Sequence, residues 1–151
     1  MSQFNALQKR LDHGDVIILD GAIGTQLQEM GLPIYQIAWA ATALHTHPST
    51  VQLMHESYVK AGADVITTNT YASARHNLEP IGLGELTGEL NRRAVLLARE
   101  ARDKAAGGRP VLIAGSISNR LPNASSMRAH RLGPKAPRTS SGKDTVDITA
   151  A

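Results

Sequence analysis

Apolar residues alternate between short unbroken runs and longer stretches at helical spacing through residue 118. The helical spacing predicts helices over 3–12, 22–30, 37–45, 49–62 and 85–106. Three short runs are predicted strands: 16–19, 63–68 and 111–114. The first has four consecutive apolar, mostly branched residues, as expected of a strand buried on both faces. Strands alternating with helices predict an α/β fold with about three parallel strands and crossover helices.

Periodicity also predicts which helical side chains face the core. In the first long helix after the opening strand, Leu27 and Met30 are expected inward. The helix over 49–62 is expected to bury one face, and the last helix a longer stripe. These positions are Val51, Met54, Tyr58 and Ala61, and then Leu86, Leu90, Ala94, Leu97 and Ala101.

Polar residues follow the predicted strands where each strand ends. Asp20 and Gly21 follow the first, the segment from Thr68 to Tyr71 the second, and Ser116 the third. Because parallel strands end on one edge of a sheet, these groups are expected to cluster there. Asp20 could accept hydrogen bonds from a substrate ammonium, or it could simply cap the next helix.

Other chemistry-bearing residues admit plainer interpretations. Trp39, the single tryptophan, could pack in the core. Gly21 and Gly24 follow a strand, as in a phosphate- or dinucleotide-binding loop, but the full G-x-G-x-x-G spacing is absent. His45, His47 and His55 could suggest a metal, yet surface or helix-end positions explain them without one.

Charge separates the front of the chain from its tail. Residues 1–118 hold 10 Lys and Arg against 11 Asp and Glu, whereas 119–151 hold 6 against 2. The front lacks the basic stripe that tracks phosphates, so nucleic-acid binding is not expected. The tail has no apolar periodicity and is rich in Ser, Arg, Pro, Ala and Thr, so we expect a disordered basic segment over 119–151.

Two absences shape the remaining expectations. The 151 residues include no cysteine, which is typical of a protein from a reducing compartment. No apolar stretch resembles a signal peptide or a membrane span, so a cytoplasmic protein without a membrane partner is expected.

Taken together, several blocks in order resemble the homocysteine S-methyltransferase family over residues about 14–118. The resemblance is carried by Ile18 to Leu27, Trp39, Ala43-Leu44, His47-Pro48, His55, Tyr58, Ala61 to Ser73, and Ala114 to Ser118. It implies the N-terminal portion of a (β/α)8 TIM barrel. It also implies homocysteine as acceptor, a methyl donor of the S-methylmethionine, betaine or folate type, and methionine as product.

The resemblance also implies roles for individual residues. Asp20 would contact the substrate amino group, and backbone groups of Gly21 and Thr68 would lie by its carboxylate. Trp39 and Tyr71 would help to form the methyl-donor pocket. From their positions after the predicted strands, Asn69 and Ser116 are also expected to bind the substrate. In the family a zinc ion held by three cysteines binds the thiol as the thiolate, which is the nucleophile.

The chain departs from the family in two respects. It has none of the zinc-binding cysteines, and only about three of eight strands precede the tail. A truncation, or a shift of reading frame after Ser118, is expected to leave a fragment that is inactive alone. The competing interpretations are a non-catalytic amino-acid-binding module and a small phosphate- or dinucleotide-binding α/β domain.

Overall fold

The computed structural model describes residues 3–33 and 38–118. The α-helices of these parts are α1 (Gln3–Asp12), α2 (Ile23–Glu29), α3 (Ala43–Thr46), α4 (Pro48–Lys60), α5 (Arg75–Leu78) and α6 (Thr87–Ala105). The strands are β1 (Val65–Thr67) and β2 (Leu112–Ala114). Single 3-10 turns cover Ala40–Thr42, Glu79–Ile81 and Gly84–Leu86.

β1 and β2 pair in parallel, with Val65 opposite Leu112 and Thr67 opposite Ala114. Segment 16–19 runs along the other side of β1. There Ile18 O accepts from Asp64 N (2.8 Å), and Asp20 N donates to Val65 O (2.9 Å). Regular bridge pairing of this segment within the described residues is nevertheless limited to Leu19 with Val65. The parallel α/β order is therefore confirmed, but segment 16–19 is not a regular strand.

The expected burial of segment 16–19 is wrong. Val16 and Leu19 are 75% and 65% exposed, and Ile18 is also exposed. The apolar run meets β1 along one edge only, and no strand among the described residues pairs with its other edge. Its composition is that of an interior strand, while its environment is that of a sheet edge.

Helices α4 and α6 pack together beside β1, and their buried faces form one part of the core. The stripe on α6 is confirmed at Leu90, Ala94, Leu97 and Ala101, which are all buried, while Leu86 is half-buried in the turn before the helix. Ile66 of β1 is fully buried between them with Val59 and Ala98. Because strand side chains alternate, Ile66 anchors the helical layer while Thr67 faces the opposite side.

Three local predictions need correction. The helix expected over 37–45 is a 3-10 turn followed by the short α3. Met30 is exposed because α2 ends before it, and Gly31 then turns the chain away with φ +90°. Ala61 is also exposed, since α4 ends at Lys60 and Ala61 already belongs to the turn at Gly62.

A charged cluster fixes the amino-terminal side of the sheet. Asp64 accepts from Arg10 Nη1 and from Ile18 N, both at 2.9 Å, and Arg109 Nη1 lies 3.7 Å away. The hydrogen bond from Arg10, followed by that from Ile18 N, holds the pKa of Asp64 below its ordinary value. The cluster joins α1 and segment 16–19 to β1 at the amino-terminal end of the sheet, opposite the carboxyl ends of the strands.

The described part of the chain has no helix that is both long and apolar enough to cross a membrane. The predicted disordered tail over 119–151 lies outside the described residues, and the prediction stays open.

Candidate functional site

The polar residues expected at the strand ends line one cavity of about 310 Å³. It opens at the carboxyl ends of segment 16–19, β1 and β2. All seven candidate residues contribute: Asp20, Gly21, Trp39, Thr68, Asn69, Tyr71 and Ser116. A polar strand-end rim with an aromatic wall is suited to a small amphipathic ligand.

Asp20 is held by the neighbouring strand. Thr67 N donates to Asp20 Oδ2 at 2.7 Å, and Thr67 Oγ1 donates to Asp20 Oδ1 at 2.9 Å. The helix-cap interpretation is wrong, because the residue preceding α2 is Ala22 and no side chain caps that helix. Thr67 was absent from the sequence-based candidates, although period-two alternation places it on the face opposite the buried Ile66.

A hydroxyl network joins the second and third strand ends. Thr70 Oγ1 donates to Ser116 O at 2.6 Å and lies 2.8 Å from Thr68 Oγ1. Ser116 N donates back to Thr70 Oγ1 at 3.2 Å. The network fixes the loop after β1 against the loop after β2, so the rim of the cavity is a cross-linked surface.

Asn69 ties that rim to the segment that carries the tryptophan. Its buried side-chain amide donates to Ala40 O at 2.8 Å. The Asn69 amide nitrogen therefore supports the wall of the cavity, and it contributes rigidity where the sequence suggested a ligand contact.

Trp39 and Tyr71 form the aromatic part of the wall, and each is more than half exposed. Core packing of Trp39 is therefore wrong. Its backbone has φ +44°, in the region that non-glycine residues rarely adopt. Such a conformation persists only where surrounding contacts impose it, and here the Asn69 bond to Ala40 O lies next to it.

The two glycines after segment 16–19 make room for aromatic side chains of the protein itself. A Cβ on Gly21 would stand 2.9 Å from the hydroxyl of Tyr58, and one on Gly24 would stand 1.8 Å from Trp39 Nε1. The Tyr58 hydroxyl donates to Ala22 O at 3.3 Å. The sequence showed the glycines but not which side chains required them.

The three histidines that could suggest a metal, His45, His47 and His55, form no metal-ligand group within the described residues. His45 and His47 are exposed, as the surface interpretation expects. His55 differs: it is completely buried in α4, and neither ring nitrogen has a hydrogen-bond partner among the residues that the structure describes. Burial lowers the pKa of His55 to about 4. Within the described residues, no group of three or more His, Cys, Asp or Glu could hold a metal ion.

The chain is similar to characterised methyltransferases. Homocysteine S-methyltransferase of Escherichia coli (strain K12) is 34% identical over 122 residues, which are 78% of this chain and 39% of that protein. Selenocysteine methyltransferase of Astragalus bisulcatus is 32% identical over 124 residues, 70% of this chain and 37% of the relative. The chain thus spans about two fifths of the length of these relatives.

A solved structure gives the same relationship in three dimensions. The homocysteine methyltransferase MmuM from Escherichia coli, in its metallated form, superposes with a TM-score of 0.68 at 30% identity. The superposition covers 84% of this chain and 44% of that one. The family profile described as homocysteine S-methyltransferase matches residues 17–140, past the end of the resemblance seen in the motifs. With most of its length matched in sequence and in fold, the chain belongs to the homocysteine S-methyltransferase family.

Proposed function

We propose that the cavity binds the amino-acid end of homocysteine, within the first part of a (β/α)8 barrel. The observation that carries this proposal is the convergence of all seven candidate residues on one cavity at the strand ends. Asp20 provides the negative charge for an ammonium group, and a charge-assisted hydrogen bond is stronger than a neutral one. Family membership supports homocysteine as the amino acid.

The aromatic wall is proposed to face the methyl donor. Trp39 and Tyr71 offer exposed ring surface beside the polar rim. A sulfonium or quaternary ammonium donor would be attracted to such ring faces, whereas a folate would stack on them. Trp39 is the only tryptophan, so its fluorescence reports directly on ligands at this wall.

The residues of this chain do not fit the zinc centre that the family resemblance implies. Zinc of that kind needs thiolate ligands, and the 151 residues contain no cysteine. The described residues also offer no alternative cluster of metal ligands. We therefore propose that the 151-residue chain by itself binds homocysteine without activating its thiol.

The glycine geometry favours this proposal over a phosphate- or dinucleotide-binding domain. In a phosphate loop, glycines let the backbone approach the ligand. Here the room beside Gly21 and Gly24 is filled by Tyr58 and Trp39. A non-catalytic amino-acid-binding module would use the same cavity for the amino acid, but it would not bind a methyl donor.

Calorimetric titration of the full chain with L-homocysteine tests the proposal. We expect saturable binding at one site, and an affinity lowered at least about tenfold by Asp20→Asn. Asp103→Asn removes an exposed carboxylate outside the cavity lining and should leave the affinity unchanged. Unsaturable heats, or equal loss in both variants, would exclude the assigned site.

Activity measurements separate the candidate functions. With homocysteine and S-methylmethionine, betaine or a methylfolate present, we expect no methionine and no stoichiometric zinc in the purified chain. Quenching of Trp39 by one of these donors would favour a methyltransferase site over a plain binding module. Turnover with one zinc per chain would contradict the proposal that this chain is inactive alone.

A further inference from the structure

Within the described residues, the side-chain carboxylate of Asp20 accepts two hydrogen bonds, and both come from one residue of the adjacent strand. The backbone N–H and the hydroxyl of Thr67 each reach a different carboxylate oxygen, at 2.7 and 2.9 Å. A carboxylate held at both oxygens cannot rotate freely about its terminal torsion. The plane of the Asp20 carboxylate is therefore set by Thr67.

The carboxylate keeps acceptor capacity after these two bonds. An ionised carboxylate offers about four lone-pair sites, and Thr67 occupies two of them. Asp20 and Thr67 both line the cavity. An ammonium group in the cavity could thus be accepted by Asp20 without breaking either bond.

Thr67 is itself fixed by the sheet. It ends β1, where it is paired with Ala114 of β2, and the next residue donates from Thr68 N to Ala114 O at 2.9 Å. β1 lies between β2 and segment 16–19, so Thr67 occupies the middle of the three strand ends. A rigid support of this kind reduces the entropy that is lost when a ligand binds.

The side chain and the backbone of Thr67 make separate contributions to the orientation of Asp20. Any residue except proline supplies the N–H at this position, but the second donor has to come from the side chain, here the Thr67 hydroxyl. Valine has nearly the same shape and favours strands equally well, but it would leave Asp20 Oδ1 without this bond. The choice of threonine therefore acts on the orientation of Asp20.

We propose that Thr67 is a positioning residue that orients Asp20 toward the α-ammonium group, so that the cavity selects α-amino acids over their desamino analogues. This assignment rests on the proposed function and adds the residue that determines its selectivity. A purely structural clasp between two strands would stabilise the fold without discriminating between such ligands.

The test compares L-methionine with 4-(methylthio)butanoate, which lacks only the amino group. Both are titrated into the full chain and followed by calorimetry and by Trp39 fluorescence. We expect Thr67→Val to lower the affinity for L-methionine about tenfold. The affinity for the desamino acid should change less than about twofold, and Thr67→Ser should restore selectivity.

Thr87→Val serves as the matched control. Thr87 begins α6, its hydroxyl donates to Gly84 O, and it does not line the cavity. If Thr67→Val does not fold, Thr67→Ala and Thr67→Ser are compared in the same way. Equal loss for both ligands, or no loss for either, overturns the role of Thr67 and leaves the proposed function standing. If the unaltered chain binds neither L-homocysteine nor L-methionine, or shows no preference for L-methionine over the desamino acid, both the proposed function and this assignment are overturned.

Discussion

The indole of Trp39 lies over the backbone of Gly24, where a Cβ would come within 1.8 Å of Nε1. No real side chain tolerates that separation, so the position of the aromatic wall depends on the absence of a side chain at residue 24. The strand-end turn thus does two things: it presents Asp20 to the cavity and leaves room for the tryptophan beside it.

Gly24→Ala is expected to push the indole out of the wall. Because Trp39 is already more than half exposed, the ring can swing toward solvent, and we expect a loss of only about 1 kcal/mol in unfolding free energy. The fluorescence emission should shift to the red, and quenching by a methyl donor should weaken. Denaturant unfolding and fluorescence titration measure these effects.

Gly88→Ala is the control for that substitution, since a Cβ on Gly88 in α6 would meet nothing within 4 Å. A helical glycine replaced by alanine should raise stability by about 0.5–1 kcal/mol. Unchanged Trp39 emission in Gly24→Ala would contradict the close packing of these two residues.

Sequence reasoning identified the cavity because strand order alone brings polar strand ends to one edge. Asp20, Thr68 and Ser116 were predicted on that basis, and they line one cavity. The pairs that support them were not predictable in the same way. Thr67 with Asp20, and Gly24 with Trp39, depend on how segments distant in sequence lie against each other, which no local pattern records.

Burial was predicted well where an element contacts several others and poorly where it contacts one. The stripe on α6 is buried because α4 and β1 both pack near it. Val16 has the composition of an interior strand residue but is exposed, because only β1 adjoins its segment among the described residues. The composition of a strand indicates the environment that suits it, whereas its exposure depends on the elements that actually pack against it.

Acid should destabilise the fold through His55. The imidazole is neutral in the folded state down to its pKa of about 4, while in the unfolded chain it takes up a proton below its ordinary value of 6.5. Its contribution is therefore fully present above pH 6.5 and is lost as the pH falls toward 4. The loss amounts to about 3 kcal/mol, measurable by urea unfolding across this range.

Two variants separate His55 from other acid-sensitive groups. His55→Met places an apolar side chain at this core position and should remove the decline in unfolding free energy between pH 6.5 and 4. His45→Gln changes an exposed histidine and should leave the decline in place. A decline of the same size in His55→Met would show that another group is responsible.

Asp64→Asn should weaken the attachment of α1 and segment 16–19 to the sheet. The amide replaces one acceptor oxygen by a donor, so that it can no longer satisfy both Arg10 and Ile18 N. We expect a loss of about 1–3 kcal/mol in thermal or denaturant unfolding at pH 7. Asp103→Asn, at an exposed pair with Arg102, should lower the stability much less, because solvent screens that pair.

The difference in unfolding free energy between the unaltered chain and Asp64→Asn should depend on pH. Since the pKa of Asp64 is lowered in the folded state, its contribution is present above the ordinary value of 3.8 and is lost as the pH falls through the folded pKa. Equal stability of Asp64→Asn and Asp103→Asn at pH 7 would mean that the cluster contributes nothing to the fold.

The edge of segment 16–19 with which no described strand pairs should promote self-association. An exposed apolar edge presents backbone donors and acceptors to another chain, and its side chains favour strand pairing. Ile18 is 50% exposed on this edge, and Leu53 is 51% exposed on α4, so the two positions differ in structure at equal exposure. Threonine at either position removes a similar apolar area.

We therefore expect Ile18→Thr to lower the concentration-dependent association of the full chain in sedimentation velocity, and Leu53→Thr to change it little. Both variants should unfold within about 1 kcal/mol of the unaltered chain, since neither side chain is deeply buried. An equal reduction in both would attribute association to general surface hydrophobicity. A reduction confined to Ile18→Thr would locate it at the edge beside Asp20, where the backbone of the candidate site begins.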